Sequence, residues 1–353
     1  MPCFSCGPRA YSASGSGGSK VGKLREVGTA PVPGPAAALI GRIGPAARRS
    51  WVVLPAALAL AAPLLLSSYG VHVAIVALYY AVLGASWNLV AGYTGQFSLA
   101  HHAFAGLGAY ASAGAVLALG FPVWAGIVVG TLAAALSGYL LGGLTLRMRG
   151  IYLAITTWAF AESFRILLAV NYQVTRGDMG LIVPLLMGTL DPVPNYYVFV
   201  GLTAGVLLLS AAVLRSKVGL RIRAIRDDEE AAAVRGIDVV RWKKFVFTLS
   251  AAIAGLTGAV YGHYIGLLAP SQVRFTEMAF IIISVVLGGF RSFWGPVVGA
   301  VVAEGLAEAL RLSGEVRMVL FGFFVIVLMR AYPAGLVGLV AALGQRLGPR
   351  PKP

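Results

Sequence analysis

VHVAIVALYYAVLGASWNLV, residues 71–90, holds twenty residues without one Asp, Glu, Lys or Arg. As a helix rising 1.5 Å per residue it covers about 30 Å, the thickness of a bilayer's hydrocarbon core. Composition extends that reading to the whole chain. Hydrophobic residues make up 58% and charged residues 12% of 353, whereas a soluble domain carries about 25% charged residues to cover its wet surface. Apolar runs of similar length recur near 51–68, 71–90, 97–118, 123–146, 150–170, 197–214, 245–268, 277–290, 295–312 and 317–342. The expected fold is therefore all-α, a polytopic membrane helix bundle of about 8–10 spans. Glycines and a proline break the third, eighth and ninth runs, and such breaks need protein or a water-filled cavity around the backbone.

The flanks divide the chain into a basic, Gly/Ser/Pro-rich tail over 1–50, a membrane domain over 51–342 and a short tail over 343–353. The first tail cannot bury a core and reads as disordered. Its apolar neighbour starts only at Trp51, so the first span is expected to be retained rather than cleaved as a leader. The formal charge of +15 does not form one stripe, which argues against nucleic acid. With both tails inside, alternation also places Arg147, Arg149 and the whole 215–244 loop inside, as the positive-inside rule requires. That loop carries nine Lys and Arg from Arg215 to Lys244, which hold it near anionic lipid of the inner leaflet.

Little in the chain supports chemistry of its own. Gly17-Gly18-Ser19-Lys20-Val21-Gly22-Lys23-Leu24 imitates a phosphate loop, but Leu24 stands where a hydroxyl must reach magnesium and no strand precedes it. Cys3 and Cys6 are two thiols where a structural zinc needs four ligands. His101 and His102 are adjacent, so they cannot share a metal as i,i+4 histidines do, and they read as packing or pore-lining groups. Glu162 with Arg165, and Glu304, Glu308 with Arg311, fall on common helix faces and read as ion pairs, the alternative being proton relays. No catalytic, metal or cofactor residue is expected.

The 215–244 loop is the least membrane-like segment after the tail. Asp227 and Asp228 can cap a helix, Glu229 and Glu230 suit its positive end, Ala231, Ala232 and Ala233 leave a slim face, and Gly236 can stop it. A short cytosolic helix of about two and a half turns is expected there, with Arg226 just before it, shaped to enter a groove on a partner.

Glu230-Ala231-Ala232-x-x-x-Gly236 resembles the E-A-A-x-x-x-G coupling loop of ABC importer permeases. Residues 219–262 as a whole resemble the permeases of branched-chain amino-acid ABC importers, the LivM type in particular. The resemblance continues through Asn88–His101, Arg149–Thr157, Thr175-x-Gly177-x-x-Gly180-Leu181 and Gly288–Ala300, five blocks in order. The later isoleucine-x-leucine-proline of the wider importer motif is absent, and the long basic tail is extra to the family pattern.

The resemblance implies a transporter subunit without its own ATPase site. Its partners would be a LivH-like second permease, two cytosolic ATPase subunits that bind ATP and magnesium, and an extracytoplasmic substrate-binding protein. Coupling would run through Arg226, Asp227, Asp228, Glu229, Glu230, Ala231, Ala232 and Gly236. Gly95, Gln96 and Ser98, in a glycine-interrupted stretch, together with Thr156 and Thr157, are the candidate pathway residues; tight packing is the other reading of the same glycines. Small polar groups suit an uncharged or zwitterionic solute, so a urea or amide importer is an alternative substrate class. An ion-coupled secondary transporter is the alternative from another class.

Overall fold

The computed structural model describes residues 59–311 except 146, 147, 149 and 190, together with 322–323, 326–327, 330 and 335–339. Both tails, the Cys3/Cys6 pair, the phosphate-loop imitation, residues 51–58 of the first candidate span and most of the last lie outside the described residues.

Each long apolar run folds as a helix: α1 (Ser68–Thr94), α2 (His101–Leu119), α3 (Val123–Thr145), α4 (Ile151–Val170), α5 (Pro192–Arg215) and α8 (Val239–Ile265). These are six helices long and apolar enough to cross a membrane among the described residues. Polar side chains fix their starts. Ser67 accepts from Gly70 N, Asp191 from Val193 N ahead of Pro192, and Asp238 from Arg241 N, each satisfying a donor the first turn cannot satisfy itself. Two helices, α6 (Lys217–Asp227) and α7 (Glu229–Val234), lie between α5 and α8.

The helix α8 is central, packed against α1, α2 and α3. Glycines let these helices meet backbone to backbone. A Cβ on Gly258 would strike the backbone of Ala105 in α2, and one on Gly108 would strike that of Gly255 in α8; a Cβ on Gly130 of α3 would strike the Gly108 carbonyl. In a bilayer, where lipid is as apolar as any side chain, such close approach is what holds helices together. Trp87, Phe104 and Phe247 are fully buried in the layer below, with Phe104 edge-on to Phe247 at 5.7 Å. Two histidines act as struts between helices. Ser250 Oγ donates to Ser86 O, so His101 Nε2 donates to Ser250 Oγ at 2.6 Å. His263 Nδ1 donates to Pro184 O and its Nε2 accepts from Ser112.

The runs with glycine breaks behave differently. Helix α2 starts only at His101, opposite Ser250, and Ser250 lies about 16 Å along α8 from Val239. Residues 95–100 thus form a non-helical stretch that climbs beside the end of α1. The eighth and ninth runs become α9 (Phe275–Gly288) and α10 (Gly295–Ala309), two short helices folded as a hairpin against α1. Its tip is pinned by Asn88, which donates to Ser292 O and accepts from Arg291 N. Between α4 and α5 the chain forms a turn-rich cap that includes a short strand absent from the sequence reading. Leu181–Ile182 pairs antiparallel with Leu267–Leu268, two residues being too short for any alternation to show.

Replacing Gly258 by Val should force α2 and α8 apart and cost at least the ~1–3 kcal/mol of ordinary overpacking. Gly114→Val in α2, where a Cβ meets nothing, should be close to neutral. Thermal unfolding of the two detergent-solubilised variants measures the contrast.

Candidate functional site

At one end of the bundle gather the C-terminal ends of α1, α3 and α5, the start of α8, and the charged connection between α5 and α8. Three contacts tie this connection down. Arg221 lies over the Trp242 ring at 4.6 Å and Lys244 over Tyr139 of α3 at 4.1 Å. Lys243, whose side chain is only 7% exposed, bonds Glu229 Oε2 at 2.7 Å. Helix α6 buries Gly219, Ile222 and Ile225, one narrow stripe at i, i+3 and i+6, and leaves Arg221 and Arg223 exposed with Arg226 half-buried.

The loop helix expected over 227–236 is found as α7, and the structure adds α6 ahead of it, with a sharp break between the two at Asp228. Asp227 ends α6, paired with Arg226 at 2.6 Å. Asp228, extended at φ −155°, caps α7 by accepting from Glu230 N and Ala231 N at 3.0 Å each. A carboxylate cap breaks one helix in order to start the next, so α7 has six residues rather than nine or ten. Gly236 ends it at φ +81°, with Ile237 N reaching back to Ala232 O, the six-to-one closure that favours glycine. Of the three alanines, Ala232 is buried against the chain while Ala231 and Ala233 face out. Val234 at the tip is 89% exposed.

The loop touches the interrupted span directly. A Cβ on Gly95, which sits at φ +74°, would be 3.4 Å from Arg226 Cγ. From there residues 95–100 alternate as an extended chain does: Gln96, Ser98 and Ala100 buried, Phe97 exposed. Side chains of two different helices satisfy its backbone. Trp87 Nε1 of α1 donates to Ser98 O at 2.8 Å, and Leu99 N donates to Thr157 Oγ1 of α4 at 2.9 Å. Both polar atoms of the Gln96 side chain are buried and have no hydrogen-bond partner among the described residues, a cost of about 1–3 kcal/mol. Thr156 and Thr157 part company: Thr157 is fully buried and bonded to Leu99, while half-buried Thr156 turns back onto Tyr152 O. Only Thr157 joins the Gly95, Gln96 and Ser98 group.

Beyond Leu99 opens a cleft of about 420 Å³ lined by Ile151, Ile155, Trp158 and Glu162 of α4, with Phe275 across from them. Glu162 and Arg165 pair on its rim, as expected from their spacing. They sit near the middle of α4, where translocon insertion scales charge about 2.5–3.5 kcal/mol per ionised group, so such a pair faces protein or water.

Residues 70–329 match the family model described as the branched-chain amino acid transport system / permease component. The chain belongs to this family. The permease is 31% identical over 318 residues to the high-affinity branched-chain amino acid transport system permease protein LivM of Escherichia coli K12, covering 82% of this chain and 75% of that one. It is 32% identical over 308 residues to LivM of Salmonella typhimurium, covering 79% and 72%. The corresponding LivH protein of Escherichia coli K12 is 30% identical over 135 residues, covering 37% and 43%. No solved structure matches significantly.

The matched region holds α1, but for its first two residues, and all of α2 to α10, together with the loop, the interrupted span and the cleft. It is a multi-pass membrane protein and a transport subunit. Sequence reasoning missed Trp87, Asn88 and Lys243, which position the site from the helices around it. A lone polar or aromatic group inside an apolar run is the signal that marks the first two.

Asp228→Ala should remove the α7 cap at about 1 kcal/mol, raising amide exchange over 229–236 roughly fivefold and leaving α8 protected. Gln96→Met exchanges two orphaned polar atoms for an apolar shape, so the melting temperature of the solubilised protein should hold or rise.

Proposed function

We propose that this permease forms half of the pathway of an ATP-driven importer of branched-chain amino acids, the solutes named for its LivM and LivH relatives. A LivH-like permease supplies the other half. Two cytosolic ATPase subunits bind ATP and magnesium, and an extracytoplasmic binding protein delivers the amino acid. The loop and both termini lie on the cytosolic side, where the density of Lys and Arg is greatest.

One observation carries this reading: α7 stands out from the bundle end with Ala231, Ala233 and Val234 exposed, while its base is anchored to α8 through Lys243 and Glu229. A slim apolar rod ringed by charge is a shape for a groove. When the ATPases close on ATP they carry α7 with them. Lys243 passes the displacement to α8. Arg226, resting on Gly95, passes it to the stretch from Gln96 to Ser98, whose hold on α4 through Thr157 moves the wall of the cleft. Outward and inward openings then alternate, and hydrolysis resets them. Gln96 fits this cycle as a group that finds its partners in the other state.

Glu230→Lys reverses a charge on α7, and Gly236→Pro imposes a φ near −65° where +81° is needed. Both should release the ATPase subunits on purification while membrane insertion stays normal; co-purification at wild-type yield would reject the docking role. A cysteine placed at Ala231 should react with an impermeant reagent only from the cytosolic face. In reconstituted vesicles, uptake of leucine should require ATP, the ATPases and the binding protein. Uptake of urea in its place would move the substrate to the amide class.

A further inference from the structure

The ion pair on α4 is built with one free valence of each sign. Arg165 uses Nε and Nη2, at 2.9 and 2.5 Å, both on the same oxygen, Glu162 Oε1. Glu162 Oε2 and Arg165 Nη1 form no hydrogen bond with the described residues, and the two side chains remain 32% and 28% exposed. An acceptor and a donor are therefore presented side by side, near the middle of a span. Glu162 stands about 17 Å along α4 from Ile151.

Next to that pair the surface is apolar. Ile151, Ile155, Trp158 and Glu162 follow i, i+4, i+7 and i+11 on one stripe of α4. Leu99 and Phe275 close the cleft from the sides, with Phe275 edge-on to Trp158 at 6.4 Å. A volume of about 420 Å³ lies within the range of small-molecule sites. Charge on one rim and a greasy wall beyond it match a molecule with an ammonium, a carboxylate and an aliphatic side chain.

We propose that this cleft is a stopping point for the amino acid on its way through: the ammonium bonds Glu162 Oε2, the carboxylate bonds Arg165 Nη1, and the branched side chain lies against Ile155, Trp158 and Phe275. The inference rests on the importer reading above and adds to it a place and a set of contacts. A pair that has already neutralised itself suits a passing zwitterion. It offers two charge-assisted bonds without an uncompensated charge that would trap either end. Neither an amine nor an acid alone can use both, and urea has nothing for the apolar wall.

The complete transporter, carrying Cys3→Ser and Cys6→Ser, is the background for the test, with Ile155→Cys inside the cleft and Phe275→Cys as an independent second position. In proteoliposomes the introduced thiol should react with a small water-soluble methanethiosulfonate, and leucine should slow that reaction. Glu162→Gln should remove the protection and lower uptake about tenfold or more, the effect of losing one charge-assisted hydrogen bond. Stimulation of ATP hydrolysis by the binding protein should persist. Isoamylamine, isocaproate and urea should protect weakly or not at all.

The site is overturned if both thiols are unreactive in every nucleotide state, because the face is then sealed by lipid or by the second permease. It is equally overturned if leucine protects the Glu162→Gln protein as well as its parent, or if urea protects as well as leucine. Each of those results leaves ATP-dependent leucine uptake by the Cys3→Ser, Cys6→Ser transporter, with Ile155 and Phe275 in place, intact. Loss of that uptake in this background would instead defeat the importer reading itself.

Discussion

Helices α2, α3 and α8 cross with their backbones touching, and everything else in the protein is arranged around that contact. It exists because Gly108, Gly130, Gly255 and Gly258 present no side chain where the three meet. Among lipid tails there is no hydrophobic drive to press helices together, so dispersion between close backbones must do it. The crossing places Ser250 beside both Ser86 and His101. That fixes how deep α2 begins, and so how much chain is left to span the gap from α1.

That remaining chain is where the loop, the interrupted span and the cleft become one system. Residues 95–100 touch Arg226 at one end and are stitched to α4 by Thr157 at the other. An extended backbone inside a membrane is tolerated only when protein supplies its hydrogen bonds. Here the bonds come from side chains of two spans, so neither span can shift without the segment responding. The hairpin α9–α10 uses the same device, with one amide, Asn88, satisfying two backbone groups at its tip.

The long spans were legible because twenty apolar residues without charge leave few alternatives. The loop's stop at Gly236 was legible because a positive φ there needs a particular residue type. The loop's division at Asp228 was ambiguous in sequence: Asp227 and Asp228 can both cap, and only the ion pair of Asp227 with Arg226 decides which does. Glycines announced the breaks at 95–100 and 289–294, but not that side chains would rescue the exposed backbone. The separation of Thr156 from Thr157 follows from helix periodicity, since neighbours lie 100° apart. Which of the two meets Leu99 depends on how α4 is rotated, and rotation is set by packing across distant parts of the chain.

The tether of residues 95–100 also constrains the order of biogenesis. Trp87 arrives in the bilayer before this segment and Thr157 arrives well after it, two helices later. Until α4 is delivered, the amide of Leu99 lacks the acceptor it has in the folded protein. Strict one-by-one release of spans into lipid would strand that backbone. The bond from Leu99 to Thr157 can therefore close only once α4 lies beside the segment.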